Sequence, residues 1–167
     1  EIKILLDSIK KDYKNLSKII VINGPGSFTG IRTGITAAKV LGLSLKLPVC
    51  GISLFELLRI NYLKTKPKKN LKFLIKLNKD NYFTQNISKS GKESKIILES
   101  FGAILQYKSK EVDFVFLDNI SVKNMSRKLN DKEEIITIND LFNKTYRDLI
   151  NLSEKKYIPS PIYVKTF

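Results

Sequence analysis

The segment Gly24-Pro25-Gly26-Ser27-Phe28-Thr29-Gly30 concentrates backbone donors and hydroxyls in one short turn. It follows Lys18-Ile19-Ile20-Val21-Ile22, a short β-branched run that reads as a strand buried on both faces. It precedes a helical pattern over residues 31–46 that ends before Pro48. Amides at a helix start carry a partial positive charge, and glycines let a phosphate or another chain come close. Gly24, Gly26, Ser27, Thr29 and Gly30 are therefore candidates for a phosphate-binding turn. The turn is not a Walker loop, because no Gly-Lys-Ser/Thr follows at the required spacing, and it is longer than the dinucleotide fingerprint. A plainer description fits the same residues: Ser27 or Thr29 caps the helix and the glycines make a tight turn.

The helix that follows carries a second pattern. Gly30, Gly34, Ala38 and Gly42 recur every four residues and form one smooth stripe. A glycine inside a helix costs about 1 kcal/mol against alanine, so two on one face call for a cause. Close packing against a partner helix would supply it. So would packing on the chain's own sheet or first helix. Ile31, Ile35 and Leu41 offer a second face for internal packing.

Other chemistries are excluded by residue type. The 167 residues contain no histidine, which removes Ser-His-Asp and Cys-His nucleophiles, His-ligated zinc and HExxH proteases. A single cysteine, Cys50, excludes an intrachain disulfide and fits a reducing compartment. Asp113 and Asp118 bracket a strand and Glu133-Glu134 precede another, with no pair placed for acid–base work. The formal charge is +14, yet all but four of the 30 basic residues are lysines, where readers of phosphates and bases favour arginine. Such a charge still raises salt-sensitive affinity for RNA. Tyr62, Tyr82 and Phe83 stand beside lysines and could stack bases, but they read better as core residues. No apolar run approaches the ~20 residues that span a bilayer, and no signal peptide opens the chain, so a cytoplasmic location is expected.

These residues must be positioned by a regular alternation of elements. Residues 1–15 place Ile2, Leu5, Leu6, Ile9 and Tyr13 on one helical face. Val49 to Ile52 makes a second strand, and Ser53 caps a helix with Leu54, Leu57, Leu58 and Leu63 at helical spacing. The run KTKPKKN, residues 64–70, is the best internal boundary, dividing a lobe at 1–64 from one at 71–167 through a linker at 65–70. Strands are expected at 71–77, 82–87 and 95–100, then a helix at 101–109 and a strand at 113–117. A weak helix at 122–130, a strand at 135–138, a helix at 139–152 and a tail through Ile162-Tyr163-Val164 follow. The order is αβαβα, then βββαβαβα. Two βββαβαβα lobes are the layout of the actin-like, Hsp70-ATPase-like (ribonuclease H-like) α/β folds, here with the first lobe lacking its first three strands. The chain opens in mid-helix with Glu1, as a fragment would, and its first strand is expected to lack a neighbour.

GPGSFTG followed by Ile31-Arg32-Thr33-Gly34, with Ala38 and Leu41, resembles the TsaB (YeaZ) family of bacterial tRNA threonylcarbamoyladenosine synthesis. The step Leu47-Pro48-Val49-Cys50-Gly51-Ile52-Ser53 is similar to the family's LP-x-x-G-x-S, and Pro161-Ile162-Tyr163-Val164 to its P-x-Y-L/V tail. The resemblance implies a scaffold without catalysis or cofactor, paired with the transferase TsaD and served by the ATPase TsaE, with tRNA reached through the complex. TsaD-type catalysis uses a His-ligated metal, which this chain cannot supply. The family docks TsaD through the helices corresponding to residues 1–15 and 31–46, which implies Ile2, Leu6, Ile9, Arg32, Gly34, Ala38 and Gly42 as interface residues. A homodimer would form when the partner is absent. The family's Asp-Ala-Arg at the start of the second lobe is replaced by Lys76, Leu77 and Asn78, which puts any bridging role of that pair in doubt. Two alternatives compete: an actin-fold kinase or ATPase that uses the turn for phosphate, and a basic RNA-binding module without an enzyme partner.

Overall fold

The computed structural model describes residues 16–65, 67–106, 112–117, 133–151 and 159–164. The helices expected at 1–15 and 122–130 lie outside these residues, and Ile2, Leu6 and Ile9 with them. Strand β1 (Ile19–Ile22) pairs in parallel with β2 (Val49–Ile52), Ile19 opposite Val49 and Ile22 opposite Ile52. Between them runs helix α1 (Phe28–Leu45), the crossover that a parallel pair requires. It ends at Lys46, whose left-handed φ of 55° turns its N–H onto the carbonyls of Gly42 and Leu43. Helix α2 (Leu54–Leu63) begins where the Ser53 hydroxyl accepts from the Glu56 amide at 2.9 Å.

After α2 come β3 (Asn70–Lys76), β4 (Asn81–Ile87) and β5 (Ile97–Ser100), an antiparallel meander. Helix α3 (Phe101–Leu105), β6 (Val112–Leu117), β7 (Glu133–Ile136) and α4 (Ile138–Ile150) follow. The five strands stand in the order β5-β4-β3-β6-β7, with β3, β6 and β7 parallel. Side-chain capping explains where boundaries differ from the sequence expectations. Ser27 caps α1, so that helix starts at Phe28 rather than at residue 31. The Thr137 hydroxyl accepts from the Asp140 amide at 3.1 Å, which starts α4 at Ile138 and ends β7 at Ile136. The strand expected from residue 95 begins at Ile97, because Ser94 bonds through its hydroxyl to the Asn86 amide and the Lys95 carbonyl. Helix α3 closes at Gln106, short of the end expected at residue 109.

One apolar core runs from the first elements into the last. Phe73, Ile75, Val115 and Leu117 of the large sheet meet Phe55, Leu57 and Leu58 of α2 and Leu141 and Leu149 of α4. Ile20 and Ile22 of β1 pack on the same cluster. The opposite sheet face holds Leu74, Tyr82, Ile104, Phe114 and Phe116. Lys72, fully buried, pairs with Glu99 across 2.6 Å, and the Thr84 hydroxyl donates to the same carboxylate.

Candidate functional site

The glycine turn joins β1 to α1 and is stitched on two sides. The Asn23 amide donates to the Ile52 carbonyl at 3.0 Å, and the Gly24 carbonyl accepts from the Leu54 amide at 2.8 Å. Gly24 has a φ of +129°, a conformation that L side chains rarely adopt. A Cβ there would also stand 3.3 Å from both the Cβ and the carbonyl oxygen of Ile162. The group that approaches this glycine so closely is the chain's own carboxy-terminal segment, whose Ile162 amide donates to the Asn23 carbonyl at 2.9 Å.

The hydroxyl of Ser27 accepts from the Gly30 amide at 3.4 Å and is thus the helix cap. Gly26, Thr29 and Gly30 are exposed in the turn and first helical residues. Pro25 and Gly26 open onto a cleft whose other wall is Ile75 to Lys79, with Leu54, Leu117 and Ile138 at its base. Lys76 and Lys79 are its charged lining groups. Asn78 serves the adjacent hairpin, its side-chain oxygen accepting from the amides of Asp80 and Asn81 at 3.1 and 3.0 Å. Among the described residues no group of three or more His, Cys, Asp or Glu could hold a metal ion.

Three of the four small residues of the stripe, Gly34, Ala38 and Gly42, lie on the inner side of α1, the internal packing that the sequence offered beside a partner helix, while Gly30 is exposed in the first turn. A Cβ on Gly42 would collide with the Val49 side chain of β2 and stand 2.9 Å from the Leu47 carbonyl oxygen. Ala38 is buried, and a Cβ on Gly34 would make ordinary contact with Val21 of β1 at 3.8 Å. Gly42 is the glycine that lets the helix settle closely on β2. The outward side is a ridge at i, i+4 spacing: Phe28, Arg32, Thr36 and Val40, extended by Leu43. Phe28, Val40 and Leu43 are 54%, 56% and 81% exposed, an unusual set of apolar groups to leave in water along one helix. Of the expected interface residues on α1, only Arg32 belongs to this ridge.

Two features escaped sequence reasoning. The i, i+4 spacing of Phe28, Arg32, Thr36 and Val40 was present in the sequence, but an exposed valine and a buried one look alike until the helix is seated. The tail's return to the glycine turn carries no local signal. Tyr163 lands beside Phe28 with ring centroids 5.6 Å apart, and its hydroxyl accepts from Arg32 Nε at 3.0 Å. Away from the turn, Tyr62 of α2 lies in a pocket with Glu134, where burial first, then that carboxylate, pushes the phenol pKa well above its ordinary value.

Comparison with known proteins places these elements. A family model described as TsaD: tRNA N6-adenosine threonylcarbamoyltransferase matches residues 1–70. The chain is 46% identical over 57 residues to the tRNA threonylcarbamoyladenosine biosynthesis protein TsaB of Bacillus subtilis, covering 34% of this chain and 25% of that one. TsaB of Buchnera aphidicola subsp. Schizaphis graminum is also 46% identical over 57 residues, 34% of this chain and 27% of that protein. The match thus spans about a quarter of the length of these curated relatives. A tRNA N6-adenosine threonylcarbamoyltransferase of Dictyoglomus turgidum is 36% identical over 55 residues, 33% of this chain and 16% of that one. The solved structure of YeaZ from Pseudomonas aeruginosa superposes over 98% of this chain and 81% of that one, with a TM-score of 0.57 and 16% identity. That likeness shows the fold, a mixed α/β arrangement. The resemblance to TsaB read from the glycine turn is thereby shown.

Proposed function

We propose that this TsaB-like chain is a non-catalytic subunit in the synthesis of threonylcarbamoyladenosine in tRNA, docking a TsaD-like transferase through the outward ridge of α1. The observation that carries this reading is the exposure of Phe28, Val40 and Leu43 on a helix inside the 1–70 match. An apolar ridge along a helix is suited to receive a second helix, with ridges set into grooves. Among the described residues no group of three or more His, Cys, Asp or Glu could hold a metal, and the sequence has no histidine to serve as a general base or metal ligand. The chain then acts by mass action: a subunit that binds only the active arrangement of its partner raises the population of that arrangement. A TsaE-like ATPase and tRNA would meet the assembled pair rather than this subunit alone.

The test is co-purification with the TsaD-like protein of the same organism, at salt high enough to suppress association by charge alone. A stable one-to-one complex is expected, lost in Val40→Glu and Leu43→Glu chains that melt as the parent does. A wild-type chain that does not bind, or variants that bind as well as the parent, would remove the reading.

A further inference from the structure

Arg32 stands between two rings. Its guanidinium carbon lies 3.9 Å from the Phe28 ring centroid and 5.8 Å from that of Tyr163. Nε donates to the Tyr163 hydroxyl at 3.0 Å, which fixes the guanidinium plane as well as its position. Two of the three residues belong to α1, one turn apart. The third arrives from the far end of the chain, held in place by the Ile162 amide on the Asn23 carbonyl and by Val164 against the core. Both rings remain more than half exposed, at 54% and 55%. Nε is occupied, and among the described residues nothing engages the terminal Nη atoms, so a planar two-pronged donor is held ready at the surface.

We propose that this clamp receives a carboxylate side chain of the docked protein partner, and that the carboxy-terminal segment is for that reason part of the docking surface. The proposal rests on the reading of α1 as the partner-binding helix. Three observations select a protein carboxylate. A guanidinium fork matches a carboxylate in bidentate geometry, and stacking on rings removes side-chain freedom before binding, so less is lost when the pair forms. The clamp is continuous with Val40 and Leu43, about 12 and 17 Å from Arg32 along the helix at 1.5 Å per residue, so a helix laid on the ridge reaches both ends. A formal charge of +14 favours an acidic partner surface. An RNA phosphate would suit the fork, but the apolar half of the ridge gives a polyanion nothing to bind. Phe, Tyr and Arg gathered at one spot are also the residue types on which interface affinity concentrates.

The experiment is titration calorimetry of the full chain against the same organism's TsaD-like protein, with a thermal melt of every variant. Arg32→Gln and Tyr163→Ala are each expected to weaken binding about tenfold or more. The double variant should be no weaker than the worse single one, because both act through one contact. Arg32→Lys, which keeps the charge without the fork, should lose most of the affinity, and Tyr163→Phe should lose a smaller part. If Tyr163→Ala unfolds the chain, the arginine variants decide. Should Leu43→Glu abolish binding while Arg32→Gln and Tyr163→Ala bind as the parent does, the ridge stands and the clamp proposal falls. If the parent does not bind at all, both fall. If Arg32→Gln weakens binding of a short single-stranded RNA but leaves partner affinity unchanged, the clamp is a phosphate contact and the proposal is overturned.

Discussion

At the scale of single residues, glycine has three different jobs within one helix and the turn before it, and the structure tells them apart by what a Cβ would meet. Gly24 needs its positive φ and the space taken by Ile162, whereas Gly42 needs only the space taken by Val49. Gly34 needs neither, since a Cβ there makes ordinary contact with Val21. Gly42→Ala should therefore destabilise by about 1–3 kcal/mol through overpacking. Gly34→Ala should stabilise by up to about 1 kcal/mol through helix propensity. Chemical denaturation of the two variants checks both signs, and equal effects would contradict the inward placement of the stripe. The sequence announced that small residues were required here, but a four-residue repeat of glycines is the same string whether a sheet or a helix lies against it. Ser27 was legible in a stronger sense, because a hydroxyl three residues before an amide it can cap needs no tertiary information. Tyr62 was not legible as a titrating group, since its neighbour Glu134 is brought in by β7. Its raised pKa gives a dated effect on stability. The unfolded phenol loses its proton near pH 10 and the native one does not, so stability is unaffected below that and falls as pH rises above it. Melts of the parent and Tyr62→Phe between about pH 8 and 11 should diverge only above ~10, with the parent falling faster.

At the scale of elements, the strands were read well because they are short apolar runs bounded by turn residues, and capping supplied the corrections. Lys72 is the element-level fact that a periodicity argument could not supply. It sits at the centre of β3, the middle strand of the large sheet, at a position where only an apolar residue would be expected. It is tolerated because β5, two strands away across β4, brings Glu99 to 2.6 Å and β4 brings the Thr84 hydroxyl to the same carboxylate. The three strands thus share a buried polar contact that holds only in one register, since a slip by one residue would send Lys72 to the opposite face. Breaking such a pair from one side strands a buried ammonium, whereas removing both charges need not destabilise at all. Glu99→Leu is accordingly expected to cost about 3–5 kcal/mol. The double variant Lys72→Met with Glu99→Leu should recover most of that loss, measured in the same denaturation series. A double variant as unstable as Glu99→Leu alone would mean that packing around Glu99, rather than its charge, is what β5 contributes.

At the scale of the molecule, the tail decides how the parts hold together. Residues 159–164 return across the glycine turn to a point 139 positions earlier in sequence, where Ile162 bonds to Asn23. No local pattern in Pro161-Ile162-Tyr163-Val164 announces this; only its likeness to a family tail marked it as more than a frayed end. The contact joins the end of the chain to the two-stranded sheet, the part of the fold with the fewest strands to support it. Every residue of β1 is only partly buried, and its described partner is β2 alone, so the turn that follows it is stabilised from outside its own sheet. The core cluster, which takes in Ile20, Ile22 and Val164 together with α2, the large sheet and α4, argues that the two sheets unfold together. The tail contact, by contrast, is one backbone bond, the exposed Arg32–Tyr163 contact and a few half-buried groups, the kind of unit that opens before the whole does. Deleting residues 160–167 should lower stability by about 2–4 kcal/mol, from two partly buried aliphatic side chains, the Ile162 backbone bond and the exposed Tyr163–Arg32 bond. Amide exchange separates the two levels. Faster exchange should be confined to the turn and the first half of α1, with the amides of β3, β6 and α4 still limited by global unfolding. Exchange that accelerates equally in every element after correction for the lost global stability would show that the tail is an ordinary part of the core and not a latch on the turn.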